Sequence, residues 1–293
     1  MNQTIYISAY LKKTIRGKHI AAELKSILGD SLKEIPDPLH AKNEWCRDYM
    51  PVKASDGTHV LFRYMPSYLM GSIKYEKTIP DQLTICKALD IKVKDNMVQE
   101  IILDGGAIEI FSKKGIISDR VFYDNYPVWN NGSPLVYHQI KDLLKLDELI
   151  VVPAHPWDFT GHVDGMVRFI NESTVLVNDD SEADEIIDSE YDLKTYKLWQ
   201  KNFKKSLENS GLTTIPLTCT ALDNDDDDSA EGIYMNFLKL TNRIIMPSFD
   251  SRNKYNKAAK SILEKAYGLP VHEIEALELA MKGGIINCVT WNE

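Results

Sequence analysis

Apolar and polar positions along the chain switch between two periods. Apolar residues recur at i, i+3, i+4 and i+7 over His19–Leu28, Asp81–Leu89, Leu135–Leu146, Thr195–Ser210 and Asn256–Tyr267, which predicts five helices with one apolar face each. Gly211 and Gly268 follow the last two, where a left-handed residue commonly ends a helix. Between the helices lie short runs of β-branched and aromatic residues that predict strands. They are Ile5–Leu11, His59–Tyr64, Ile101–Phe111, Ile116–Phe122, Leu149–Val152, Met166–Ile170, Thr174–Val177, Thr214–Thr218, Ile233–Leu240 and Arg243–Pro247.

The order repeats. Met166–Ile170, Thr174–Val177, a helix and Thr214–Thr218 read strand, strand, helix, strand. Ile233–Leu240, Arg243–Pro247, a helix and Val271–Ala276 read the same way. The stretches from Pro51 to Leu103 and from Ala107 to Val152 fit this unit. A fifth copy forms only if Ile285–Trp291 joins Ile5–Leu11 and the helix after it, so the two chain ends share one unit. Repeats of this length that close predict a ring of α/β blades, a five-bladed propeller in one domain over residues 1–293. A doubly wound parallel sheet would need one strand per helix and a glycine-rich first turn, and the sequence has neither. Asn178–Asp192 and the run Asp223–Asp228 interrupt the pattern. The second is read as a solvated acidic loop, since it lacks the spacing and terminal Glu of an EF-hand loop.

With 293 residues, 44% apolar and 26% charged, the chain has the balance of a water-soluble globular protein. It has no uninterrupted apolar run of membrane-spanning length, and its start, MNQTIYISAYLKK, lacks the basic and small-residue marks of a secretory signal. The four cysteines (Cys46, Cys86, Cys219, Cys288) form no CxxC pair and are too scattered for a disulfide scaffold or a cysteine zinc site. Reduced thiols in the cytoplasm are the expectation. The net charge of −9 argues against nucleic acid as a partner and mildly favours cationic ligands.

Four short patches open strand-like runs at nearly one spacing: WCRDYMP (Trp45–Pro51), LDGG (Leu103–Gly106), GHVDGMVRF (Gly161–Phe169) and GGIINC (Gly283–Cys288). Asp48 to Asp104 is 56 residues, Asp104 to His162 is 58, and His162 to Cys288 is 126, or two such steps. Equivalent positions of a closing repeat face one centre, so these side chains are expected to meet. A lone cysteine is ordinarily a small buried hydrophobe, which suits Cys86, Cys219 and Cys46. Cys288 differs in following two glycines that permit a tight nucleophile-bearing turn. His162 and Asp164, two apart on an extended segment, would share a face, as acid–base and cation-binding groups. DGG is ordinary turn chemistry, but between two apolar runs it can be a bulge that re-aims Asp104. His155, before a proline, is read as structural. A planar guanidinium suits this set: carboxylates bind it bidentately while a thiolate attacks its central carbon.

Together these patches resemble the agmatine deiminase and Porphyromonas-type peptidyl-arginine deiminase family of the guanidine-modifying superfamily. WCRDYMP is similar to its W-x-R-D-x-x-P element, LDGG to E-G-G, GHVDGMVRF to G-H-x-D-x-x-x-R-F, and GGIINCVTW to G-G-x-I-H-C-x-T. The resemblance runs from about residue 40 onward and implies the five-bladed α/β propeller. It implies that Cys288 is the nucleophile, that His162 is the acid and then the base, and that Asp104 orients His162. Asp48 and Asp164 would grip the guanidinium, with Trp45 and Arg47 of the first patch beside them. Arg168 reads either as a partner for a substrate carboxylate or, preferably, as a structural ion pair. No metal or organic cofactor is implied, and a homodimer is.

Three departures bear on specificity. Asp104 stands where the family has Glu, Asn287 where it has His, and FRYMPSYL (Phe62–Leu69) where agmatine deiminases carry Trp-Gly-Gly. The expected function is hydrolysis of a small cationic guanidino substrate (agmatine, arginine or a relative) to a ureido product and ammonia. The alternatives are a peptidyl-arginine deiminase, an amidinotransferase, and a guanidinium-binding module without turnover.

Overall fold

The computed structural model describes residues 3–126, 133–223 and 229–293. It contains five three-stranded sheets of one build. In each, an antiparallel pair is followed by a parallel strand reached through a helix. The first sheet is assembled from both ends of the chain: Ile5–Ser8 pairs with Trp291–Asn292 antiparallel and with Leu32–Ile35 parallel. The second holds Val52–Lys53, His59–Arg63 and Val93–Ile102, and the third Ile108–Phe111, Lys114–Ser118 and Glu148–Val152. The fourth holds Val167–Asn171, Thr174–Asp179 and Thr213–Thr218, and the fifth Leu238–Lys239, Ile244–Ser248 and Val271–Glu275.

The middle strands are buried almost throughout, as expected where a helix covers one face and neighbouring sheets the other. Five crossover helices cover them: Ile15–Leu28, Gln82–Ala88, Ser133–Leu143, Glu190–Asn209 and Asn253–Tyr267. All five were legible, but four begin two to five residues before the apolar period does. The physical reason is that a first turn reaching past the sheet buries nothing and so carries no pattern. Its signal is the cap instead: Thr14 accepts from the amide of Gly17 and Ser189 from that of Asp192. Gly268 ends the last helix in the left-handed region, as its position predicts.

The strands were read less well. Ile101–Phe111 is two strands, broken at Leu103–Ala107 by a 3-10 turn. Ile233–Leu240 supplies only Leu238–Lys239, and Ile285–Trp291 only its last residue. In each case buried apolar side chains persist through a turn, so composition alone mimics a strand. The polar strand Val93–Ile102 gave no such signal, because much of its length lies in solvent. Most of the acidic run at 223–228 lies outside the described residues. Among the described residues no helix is long and apolar enough to cross a membrane.

Candidate active site

Each sheet receives its first antiparallel strand from a short turn, and the site is built from those five turns. A one-turn helix, Cys46–Tyr49, enters the second sheet and carries Asp48. Asp104 caps the 3-10 turn Gly105–Ala107 that enters the third sheet. His162 and Asp164 flank and occupy the 3-10 turn Val163–Gly165 before the fourth. Asn236 precedes the fifth, and Cys288 lies in the turn that returns to the first. The side chains of Asp48, Asp104, His162, Asp164, Asn236 and Cys288 are all buried.

Glycine allows the turns to meet. A Cβ on Gly106 would lie 2.5 Å from His162 Nδ1 and 2.9 Å from Asp48 Oδ1, so three turns converge on that one backbone position. The LDGG patch is thus a close-approach turn and not a bulge. His162 and Asp164 also meet for a different reason than strand alternation: the turn between them is 3-10, and its curvature keeps both inside.

Around His162 the geometry is that of an imidazolium among carboxylates. Its Nε2 is 3.2 Å from Asp104 Oδ2 and its Nδ1 is 3.8 Å from Asp48 Oδ1. The Gly106 amide donates to Asp48 Oδ1 at 3.1 Å, and the Tyr68 hydroxyl donates to Asp104 Oδ2 at 2.7 Å. Burial pushes the His162 pKa down, but Asp48, Asp104 and Asp164 outweigh it and hold the group up at about 10. Asp48 is pushed up to about 7 by burial, opposed by His162 and reinforced by Asp104 and Asp164. Three buried carboxylates face one imidazolium and the Arg47 guanidinium behind Asp164, which leaves the site one positive charge short.

Cys288 faces the same centre. Its thiol donates to Asn236 Oδ1 at 3.4 Å and lies 3.9 Å from Asp164 Oδ2. Burial and the nearby charges of Asp164 and Asp48 hold its pKa well above the usual thiol range, so the resting group is a thiol. Asn287 donates through Nδ2 to Asp164 Oδ2 at 2.7 Å, fixing that carboxylate beside the sulfur. Asn236 was missed from the sequence. Its Oδ1 also accepts the amides of Asn287 (3.0 Å) and Cys288 (3.3 Å), so one side chain sets both the backbone and the thiol of Cys288. The only available signal was position, since YMNFLKL opens the one repeat to which no patch had been assigned.

Trp45 and Arg47, expected beside the substrate, stand behind the site instead, and Arg168 forms the structural ion pair preferred for it. Trp45 packs under the nucleophile turn, where a Cβ on Gly284 would come 2.5 Å from its ring. Arg47 clamps that turn: its amide donates to the Cys288 carbonyl at 3.1 Å, Nε to the Asn287 carbonyl at 3.4 Å and Nη2 to Asn292 Oδ1 at 3.1 Å. Arg168 pairs with Glu109 at 3.1 Å, donates to the Phe237 carbonyl at 2.8 Å and lies over the Phe237 ring, bracing the residue next to Asn236. Buried guanidinium groups need several acceptors each; that of Arg47 has the Asn287 carbonyl and Asn292 Oδ1, and that of Arg168 has the Phe237 carbonyl and the charge of Glu109. Cys46 and Cys86 are buried thiols pushed up to about 12 by burial, as packing residues should be. His155, against the Trp199 ring at 4.6 Å, is held down at about 4 by burial.

A cavity of about 480 Å³ opens onto Cys288, His162, Asp164 and Asn236. Its outer wall comes largely from the acidic connector and the loop before His162, with Trp157, Phe159 and Tyr196 among the rings and Asp158, Asp180, Asp188 and Asp192 among the acids. No Lys or Arg is among the described lining residues. Nor is any group of three or more His, Cys, Asp and Glu among the described residues placed to hold a metal ion.

The family model of Porphyromonas-type peptidyl-arginine deiminase matches residues 18–293. An agmatine deiminase of Pseudomonas fluorescens is 23% identical over 286 residues, covering 86% of this chain and 74% of that protein. Among solved structures, a Porphyromonas gingivalis chain provisionally assigned as an arginine deiminase superposes with a TM-score of 0.74 at 17% identity, covering 100% of this chain and 95% of that one. An agmatine deiminase of C. jejuni superposes with a TM-score of 0.69 at 16% identity, covering 100% and 93%. At these identities the structural matches establish a shared α/β fold.

Proposed function

This chain belongs to the Porphyromonas-type peptidyl-arginine deiminase family, and from that membership we propose that it hydrolyses a guanidino substrate to a ureido product and ammonia through a covalent intermediate on Cys288. The observation that carries the reading is the meeting of Cys288, His162 and Asp164 on one cavity, with Asp48 and Asp104 at His162. The guanidinium lies between Asp48 and Asp164, which each offer it a carboxylate, and its charge makes up the pocket's deficit of positive charge. The same charge lowers the cost of the Cys288 thiolate, which otherwise faces two carboxylates.

The Cys288 thiol gives up its proton to solvent as the cation binds, the thiolate attacks the guanidinium carbon, a C–N bond breaks, and His162 gives its proton to the departing ammonia. Neutral His162 then takes a proton from water as its oxygen bonds to the same carbon. The C–S bond breaks as the adduct's hydroxyl becomes the ureido carbonyl, its proton passes to the Cys288 sulfur, and the ureido product leaves. Asp104 orients His162 in both halves. With no cation in the described wall to pair a carboxylate, an acidic and aromatic cavity favours a tail that is neutral or positive, as in agmatine, over free arginine. The five like-built sheets, the first made from both chain ends, support a closed five-bladed α/β propeller spanning one domain. The four free thiols support a cytoplasmic setting.

The test is ammonia release from agmatine, arginine, an N-acyl arginine and an arginine peptide, by wild type and Cys288→Ala. Turnover of one substrate that is lost in Cys288→Ala is the expected result. No turnover, with Cys288 no more reactive than Cys86 toward a haloacetamidine, refutes it. An added amine acceptor that diverts the product would instead identify amidino transfer.

A further inference from the structure

We propose that Tyr68 is a positioning residue that sets the proton affinity of His162 through Asp104. The proposal rests on the deiminase reading for its kinetic consequences but not for its geometry. A single oxygen, Asp104 Oδ2, takes the Tyr68 hydroxyl at 2.7 Å and His162 Nε2 at 3.2 Å. The other oxygen, Asp104 Oδ1, is buried without a hydrogen-bond partner, so Tyr68 and His162 share what that carboxylate has to give. The Tyr68 ring also stands edge-on to His162, centroids 6.4 Å apart, and to Phe159 at 5.6 Å.

Tyr68 comes from FRYMPSYL, the segment that replaces the family's Trp-Gly-Gly stretch, and its partner Asp104 replaces the family's Glu. The segment is fixed: the Ser67 amide donates to Asp124 Oδ1 at 3.2 Å and Arg120 Nη2 donates to Ser67 Oγ at 2.7 Å. Burial, with Asp104 nearby, keeps the Tyr68 phenol protonated, so its O–H is there to donate to Asp104. A donor on Asp104 draws off part of the charge that would otherwise hold the proton on His162. The ionisable groups facing His162 are Asp48, Asp104 and Asp164, and Asp104 faces Tyr64 besides Tyr68. Once a guanidinium occupies Asp48 and Asp164, the Asp104–Tyr68 pair is what remains to tune the imidazole. The second half of the reaction needs His162 neutral. Tyr68 therefore favours hydrolysis of the intermediate at neutral pH.

The experiment compares wild type, Tyr68→Phe, and protein carrying 3,5-difluorotyrosine at position 68, a stronger donor of the same shape. The His162 imidazole is titrated by NMR in each, and kcat and KM are measured against pH on whichever of the four candidate substrates releases ammonia. Tyr68→Phe should raise the His162 midpoint by about one unit, a tenfold loss of neutral imidazole at fixed pH. kcat at neutral pH should fall about tenfold with KM unchanged, because Tyr68 does not line the cavity. The difluorotyrosine protein should move the midpoint the other way. An unmoved midpoint in a folded Tyr68→Phe protein overturns the proposal, and if that variant does not fold, an unmoved midpoint in the difluorotyrosine protein does so. A wild type that releases no ammonia and whose Cys288 is no more reactive than Cys86 refutes the deiminase reading, while the NMR titration still decides the link from Tyr68 to His162.

Discussion

Asn236→Ala is the sharpest perturbation of this site, because the residue touches no charged group and yet holds the nucleophile. Its Oδ1 accepts from the Asn287 amide, the Cys288 amide and the Cys288 thiol. Removing it does not strand the Asn287 amide, which also donates to the Asn236 carbonyl at 3.1 Å. The Cys288 amide and thiol lose this acceptor. A buried donor left without a partner costs about 1–3 kcal/mol. At roughly 2–4 °C per kcal/mol for a chain of about this size, Tm should fall by about 4 °C. The effect on turnover should be larger, since a nucleophile displaced by about 1 Å costs on the order of 100-fold. The assay is ammonia release under saturating and sub-saturating substrate, paired with a thermal melt. Asn236→Asp separates the causes: it keeps an acceptor but adds a charge beside the thiol, so it should hold the turn while moving thiol reactivity to higher pH. Asn236→Ala turning over within threefold of wild type, at an unchanged Tm, would refute the assignment.

Two further outcomes follow from the same geometry. His162 titrates near 10 in the folded chain against about 6.5 when unfolded, so its stabilising contribution is fully present below pH 6.5 and is lost as pH rises through 10. Wild-type Tm should therefore decline over that window and the decline should flatten in His162→Asn; parallel curves would refute the carboxylate pairing. Gly106→Ala should fold but lose about 100-fold or more in turnover, since its new methyl displaces His162 Nδ1 and Asp48 Oδ1 together. A variant with wild-type kcat would mean the two turns can part without consequence.

How much of this could be read in advance differs by kind of residue. The five helices and the repeat were legible because burying one helix face on a sheet imposes a period on the sequence, and the sharing of one sheet by the two chain ends was legible in the leftover strand at each end. The meeting of Cys288, His162, Asp164, Asp48 and Asp104 was legible because each sits in a short patch at one spacing; the roles proposed for them come from the resemblance to a known family. What the chain could not state locally is which groups the fold turns outward to the cavity and which it turns back into its own frame. Arg47, Arg168 and Trp45 share the patches of the site residues, and only the meeting of separate turns decides that they brace Cys288 and Asn236. Asn236 and Tyr68 are polar residues in ordinary surroundings of sequence. They gain their roles from neighbours 52 and 36 positions away. Periodicity is a property of one element against the core, so sequence carries it; hydrogen bonds between turns depend on how separate sheets pack against one another, and that is settled only by tertiary packing.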